Sequence, residues 1–287
     1  MIQPAKNLHN ASRRQAARAG GFTLLETLVV IGIIALLMGI LMPAVAAVRR
    51  QARQADTRNR IGVIMGAIQA YQQEDGSRAY PGPLATSAIL PSSAGGNVNL
   101  PCSGAENLAV GLLGSLRQAG SGYEYDPDNL GKGALTFGGQ GRRLMPFLDI
   151  GESWLSPGRF RDQAGTVGND GNIPEILDTF TDPLPILYLR ARKGASGVVA
   201  LAGAAQYELN EVLAYTAVNL GGKTHGLRAV GSGSFNAQAA NAALPYMAHP
   251  ALPDTARQQD GYILISAGSD RIWGTVDDIT SFGSLRP

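Results

Sequence analysis

From Thr27 to Val48 the chain carries no charged residue, and this run limits the fold more than any other feature. As a helix it is roughly 33 Å long at about 1.5 Å per residue, enough to cross a hydrocarbon core of about 30 Å. Glu26 sits in the first turn of the same run. An ionised side chain carried to mid-bilayer costs up to about 3 kcal/mol, so an acid here needs a partner or a shallow position and is a functional candidate. Ahead of it, Gly20-Gly21 breaks the helix and removes side-chain bulk, which leaves an extended backbone that a protease cleft can admit.

The order Gly21-Phe22-Thr23-Leu24-Leu25-Glu26 follows a short basic leader (Lys6, Arg13, Arg14, Arg18) and precedes Pro43 by about six turns. It resembles the cleavage and methylation signal of type IV pilins and type II secretion pseudopilins. The resemblance implies that a membrane peptidase cuts after Gly21 and methylates Phe22, and that Glu26 guides subunits into a filament. It also implies an N-in orientation. Charge does not decide this, because Arg49, Arg50, Arg53, Arg58 and Arg60 follow the span as densely as basic residues precede it. A secretory signal peptide cut after Ala46 shares the basic start, the apolar stretch and a small triplet, Ala44-Val45-Ala46. Against it, the run exceeds the usual h-region of about 7 to 15 residues, and Glu26 lies inside its start. An uncut signal anchor is a third reading.

Of 287 residues, about 200 remain once the leader and the whole N-terminal helix are set aside, which suggests one domain or a decorated one. The net charge of +2 is mild and concentrated near the span, so composition offers no broad nucleic-acid footprint. Abundant glycine, 37 residues, with only 16% charged residues points to long turns and loops in the exported part. Cys102 is the only cysteine, so no intrachain disulfide forms, and a buried small hydrophobe is its expected role.

Beyond the span, Arg49 to Glu74 continues helical. Ile61, Ile64, Ile68 and Tyr71, with Ala67 beside them, recur at spacings of three and four and make one apolar stripe. Asp75-Gly76 supplies the stop, while Pro43, Gly32, Gly39, Gly62 and Gly66 weaken the helix. The arginine cluster after the span either meets anionic headgroups or forms a solvated face. Tyr71 through Asp75-Gly76 to Tyr80-Pro81 resembles the helix exit of the major pseudopilin of type II secretion. Asp182-Pro183 through Tyr188 resembles that family's Asp-Pro-Trp-Gly-x-x-Tyr segment, with Leu184-Pro185 in place of Trp-Gly.

Ser103-Gly-Ala-Glu106 reads as a capping box, and Leu108, Leu112, Leu113 and Leu116 follow at helical spacing, so a helix is expected near 104–118. Residues 123–129 and 168–172 are acidic and turn-rich, and are read as surface Asx-turns. Strands are expected at 186–191, 198–202 and 207–217, the last also compatible with a helix, and a long irregular insertion at 219–260.

The C-terminal segment Asp260-Gly-Tyr-Ile-Leu-Ile-Ser-Ala-Gly268 starts as a buried strand and runs into a loop bearing Asp270, Asp277 and Asp278. Asp-Gly-aromatic, then Ser-x-Gly-x-Asp, then a glycine turn and paired acids resembles the C-terminal calcium loop of the major pseudopilins. Calcium takes six to eight oxygen ligands, and a loop that returns on itself offers carboxylates and carbonyls together. The resemblance therefore implies one structural Ca²⁺ at Asp270, Asp277 and Asp278. Gly221-Gly222-Lys223-Thr224 lacks the earlier glycine of a phosphate loop, Ala217 standing there. His9, His225 and His249 have no ligand spacing and are expected in loops or at the surface. No nucleophile signature appears, so no enzyme activity is expected.

The expected architecture is α+β: a long N-terminal transmembrane and amphipathic helix packed on an antiparallel β-sheet, pilin-like, with loop-rich insertions. Its parts are the leader 1–21, the assembly half 22–48, the amphipathic half 49–76 and an exported globular domain 77–287. The expected function is a structural subunit of a pilin-like or pseudopilus filament, anchored in a bacterial inner membrane before assembly and periplasmic or extracellular afterwards. Its expected partners are like subunits, a prepilin peptidase/methyltransferase, assembly-platform membrane proteins and membrane lipid, with nucleic acid not indicated. The alternative is a membrane-anchored or secreted binding protein acting alone, DNA capture included.

Overall fold

The computed structural model describes residues 22–75, 80–82, 103–119, 122–135, 142–156, 173–195, 197–200, 205–208, 223, 225 and 244–283. The expectations for the leader with Gly21 and His9, for Gly76, Cys102, residues 168–172, 209–217, Gly221-Gly222 and Thr224 lie outside these residues.

The chain divides into two compact units, Met1–Val48 and Arg49–Pro287, and helix α1 (Leu24–Asp75) contributes to both. In the first unit the helix runs through Pro43, which forfeits one hydrogen bond without ending it. Its large apolar side chains from Phe22 to Val48 are 39–82% exposed, so no core among the described residues covers them. The helix is long and apolar enough to cross a membrane.

In the second unit the expected stripe is buried: Ile61, Ile64, Ala67, Ile68 and Tyr71 face inward together with Thr57. After α1 come α2 (Gly104–Leu113), β1 (Leu116–Ala119), β2 (Gly122–Tyr125), β3 (Leu155–Ser156), β4 (Glu175–Ile176), β5 (Leu187–Arg190), β6 (Val199–Ala200), β7 (Tyr207–Glu208), β8 (Ala248–His249), β9 (Leu252–Ala256), β10 (Tyr262–Ser266) and β11 (Ile279–Thr280). Strands β11, β10 and β5 form an antiparallel sheet in that order, with Leu264 opposite Tyr188 and Ile265 opposite both Leu187 and Thr280. Side chains alternate across a strand, so one face presents Tyr188 and Leu264 to the α1 stripe and to Leu108 and Leu112 of α2. The other face presents Leu187, Leu189, Ile263 and Ile265 to Tyr207, Tyr246, Met247 and Trp273. Burial on both faces explains why β5 and β10 read as continuous apolar runs.

Helix α2 opens with the expected capping box: Ser103 Oγ accepts from Glu106 N at 3.1 Å, and Ser103 N donates to Glu106 Oε2 at 2.7 Å. It ends at Leu113, five residues before the expected point near 118. Gly114 takes φ +76°, and a Cβ there would lie 2.0 Å from Gly133 O, so a close backbone crossing turns the chain into β1. Residues 198–202 and 207–217 yield only the short parallel pair β6 and β7 among the described residues. Of the irregular insertion expected at 219–260, the part at 244–260 instead contains a helical turn at 244–247 and the β8–β9 hairpin, and residues 226–243 lie outside the described residues. Of the acidic segment 123–129, expected to form surface Asx-turns, residues 123–125 belong instead to β2, paired with β1, and the turn is confined to 126–129, where Asp126 caps Pro127–Asn129 through Asp128 N at 3.0 Å.

The segment between β4 and β5 is fixed to α1. Thr57 and Thr179 hydroxyls lie 2.8 Å apart, Thr179 Oγ1 donates to Arg53 O at 2.9 Å, and Arg60 Nη1 donates to Leu177 O at 3.0 Å. Arg53 also donates to Thr181 Oγ1, and the Arg60 guanidinium lies 4.3 Å from the Trp154 ring centre.

Candidate functional site

The first candidate is the start of α1. Phe22 is exposed, and Thr23 and Glu26 close a reciprocal cap: Thr23 N and Thr23 Oγ1 donate to Glu26 Oε2 at 2.8 and 2.9 Å, and Glu26 N donates to Thr23 Oγ1 at 3.2 Å. Glu26 thus satisfies orphan donors of its own helix and places its charge at the positive end of the helix dipole. The partner this acid needs inside an apolar run is, in the isolated chain, three residues away. Thr23-x-x-Glu26 has the spacing of a capping box, so the sequence carried this signal, although only the charge of Glu26 was read from it.

The second candidate is the loop from Ala267 to Asp278, between β10 and β11. Gly268 pinches its neck at φ +59°, where a Cβ would lie 2.3 Å from Asp277 O. Asp277 Oδ2 accepts from Ser269 N, Ser269 Oγ and Asp270 N at 2.8 to 2.9 Å, and its Oδ1 accepts from Thr275 Oγ1 at 2.6 Å. Asp270 Oδ1 accepts from Ile272 N at 2.8 Å, and Asp270 O accepts from Lys223 Nζ. Asp278 is buried. Its Oδ2 accepts from Tyr246 OH at 2.7 Å and Gly274 N at 2.9 Å, while its Oδ1 is buried without a hydrogen-bond partner.

Electrostatics separate the three acids. Burial pushes the Asp278 carboxyl up to about 7, against the donors Gly274 N and Tyr246 OH, and the neighbouring Asp277 and Asp270 charges add to the rise. Burial also raises Asp270, with repulsion from Asp277 contributing, despite the bond from Ile272 N. At Asp277 burial acts upward, but the donors Thr275, Asp270 and Ser269 outweigh it and hold the carboxyl below its ordinary value. Burial drives the Tyr246 phenol upward, with Asp278 reinforcing the shift. The loop therefore concentrates acidic groups that resist simultaneous ionisation. Among the described residues no three metal-ligating side chains converge into a ready cluster.

A buried ion pair braces this loop. Asp178, fully buried, accepts from Arg271 Nη1 at 2.7 Å and Ser266 Oγ at 2.8 Å, and its other oxygen accepts from Leu184 N at 3.2 Å. Arg271, at φ +62°, also donates to Gly268 O and Asp182 O. Leu184 thus sits in a turn closed by the Asp178 carboxylate. His225, expected in a loop or at the surface, is buried, its Nδ1 accepting from Trp273 N at 3.3 Å and its ring packed 4.8 Å from that indole. His249, expected likewise, lies in β8, half-buried, and accepts from Ala251 N at 3.2 Å. Sequence reasoning missed Tyr246 and Lys223 as neighbours of the acids, since they reach the loop across 32 and 47 residues and carry no local signal.

An α+β chain with a capped apolar helix, uncovered among the described residues, is consistent with a pilin-like fold. Residues 17–42 match the model of the prokaryotic N-terminal methylation motif, the signal that a prepilin peptidase processes. No curated protein and no solved structure matches the chain. The motif and the apolar helix together fit anchoring in a membrane before assembly.

Proposed function

We propose that the chain is a structural subunit of a pilin-like filament or type II secretion pseudopilus, cut after Gly21, methylated at Phe22 and held in the bacterial inner membrane by α1 until assembly. The position of Glu26 at the head of an otherwise uncharged span carries this reading. A simple anchor has no use for an acid there, whereas a filament does. Once Phe22 is the N-terminus, its amine lies about 6 Å from Glu26 along the helix axis, at nearly the same depth. A neighbouring subunit shifted along the filament brings its own amine to this carboxylate, and the pair offsets a desolvation cost that either group carries alone. The Thr23 cap holds the carboxylate until that partner arrives. Like subunits, the peptidase/methyltransferase and assembly-platform proteins are the partners this role requires.

Glu26→Gln and Glu26→Ala separate charge from cap, because glutamine can serve at the third position of a capping box and alanine cannot. Both variants are expected to be processed and inserted but absent from sheared filaments. Normal incorporation of Glu26→Gln would show that the cap, not the charge, matters and would reject the pairing.

We further propose that Asp270, Asp277 and Asp278 bind one Ca²⁺ of structural role. The partnerless Asp278 Oδ1 and the mutual repulsion of the acids support it, since a divalent cation would supply the charge the loop lacks. Asp278 and Asp270 would contribute oxygens directly. Asp277, whose oxygens both accept hydrogen bonds, would contribute chiefly its charge.

A further inference from the structure

We infer that Arg49 and Arg50 form a binding site for the phosphates of anionic phospholipids at the exported face of the membrane, and that the other arginines of the same helix do not. This rests on the reading of α1 as a membrane span. Residues 49–60 hold five arginines against one acid, Asp56. The structure divides those five. Arg53 and Arg60 are engaged by the domain: Arg53 donates to Thr181 Oγ1, and Arg60 donates to Leu177 O and stacks on Trp154, with Asp56 and Asp178 opposing its charge. Arg49, Arg50 and Arg58 are exposed.

Depth then separates these three. The uncharged run ends at Val48, and the headgroup layer on one side of a bilayer is about 5 to 7 Å thick. At about 1.5 Å per residue, Arg49 and Arg50 lie within about 3 Å of the end of the run, inside that layer, whereas Arg58 lies about 15 Å beyond it. Guanidinium groups donate bidentately to phosphate oxygens, and two adjacent residues on a helix point about 100° apart, so the pair contacts separate lipids. Free in solution, their charges would have no counterpart on this part of the chain except Asp56. A lipid surface offers that counterpart at the right depth, and this favours headgroups over a soluble polyanion.

The test uses the full chain reconstituted in vesicles of equal parts phosphatidylcholine and phosphatidylglycerol, with trace spin-labelled forms of each lipid reporting their relative association with the protein. Flotation with the vesicles checks the span itself. The wild-type chain should float and prefer phosphatidylglycerol. Each of Arg49→Gln and Arg50→Gln should lower the preference, by about fivefold where the full surface effect is expressed, and Arg58→Gln should leave it unchanged. The preference should also collapse when salt shortens the Debye length to about 3 Å. A chain that does not float overturns the span and this inference together. A floating chain without the preference, or one in which Arg58→Gln matches Arg49→Gln, overturns this inference alone, as does retention of a soluble polyanion by Arg49 and Arg50 with no lipid preference.

Discussion

Asp278 is the residue whose environment departs furthest from what its local sequence suggests. Buried, with one oxygen lacking a partner and its carboxyl raised to about 7, it binds a proton in the folded state that it would release when unfolded above about pH 3.9. Fewer protons bound in the unfolded state mean that stability falls as pH rises. With chelator present, the contribution is intact below about pH 4 and is lost as pH climbs through about 7, at most about 4 kcal/mol for this single group. Asp270 acts in the same sense, while the lowered Asp277 acts oppositely and only in the more acidic range. Thermal unfolding across this window should show the decline in the wild-type chain, and Asp278→Asn should flatten it. An unchanged slope in the variant would place the titrating group elsewhere. The same residue marks a limit of sequence reading. Its acidity was visible, but Tyr246 and the missing partner of Oδ1 depend on contacts that only the folded chain creates.

Among the elements, those set by local periodicity were legible. The stripe Ile61, Ile64, Ile68 and Tyr71 is buried as its spacing of three and four requires, and the cap at Ser103 starts α2 where its Glu106 predicts. The end of α2 was not legible, because Gly114 stops it through a crossing with Gly133, a contact between segments with no pattern in either. Leu116 continued the helical spacing yet belongs to β1, its burial supplied by Val110, Leu135 and Ile173. The N-terminal cap at Thr23 has the same Thr/Ser-x-x-Glu signature as that at Ser103. The α1 stripe packs on the sheet of the second unit, so Ile64→Ala should destabilise that unit by about 2 to 5 kcal/mol. The exposed Val63→Ala on the same helix should cost little. Denaturant unfolding of both variants measures this, and equal effects would mean that the stripe does not carry the packing.

At the scale of the molecule, one helix carries two kinds of surface. Its first part exposes apolar surface that no core among the described residues covers, and its second part contributes a face to the second unit. The Asp178–Arg271 pair joins the segment fixed to Arg53 and Thr57 with the loop that bears the acids, so the C-terminal loop is braced against the same scaffold as the helix. The proposed cation binding there should therefore stabilise the second unit as a whole. At about 100 times its dissociation constant, Ca²⁺ would add about 2.7 kcal/mol, read as a higher melting temperature of the full chain in detergent than with chelator. Identical melting in both conditions would remove the stabilising site. The most direct measurement of the central claim is the intact mass and N-terminal sequence of the chain recovered from membranes of cells that carry a prepilin peptidase. The account predicts a chain beginning at Phe22 with a methylated amine, and the unprocessed form when the peptidase is absent. A chain beginning at Ala47, or an N-terminus indifferent to the peptidase, would contradict it, because the first discards the helix on which assembly depends and the second leaves the signal unread.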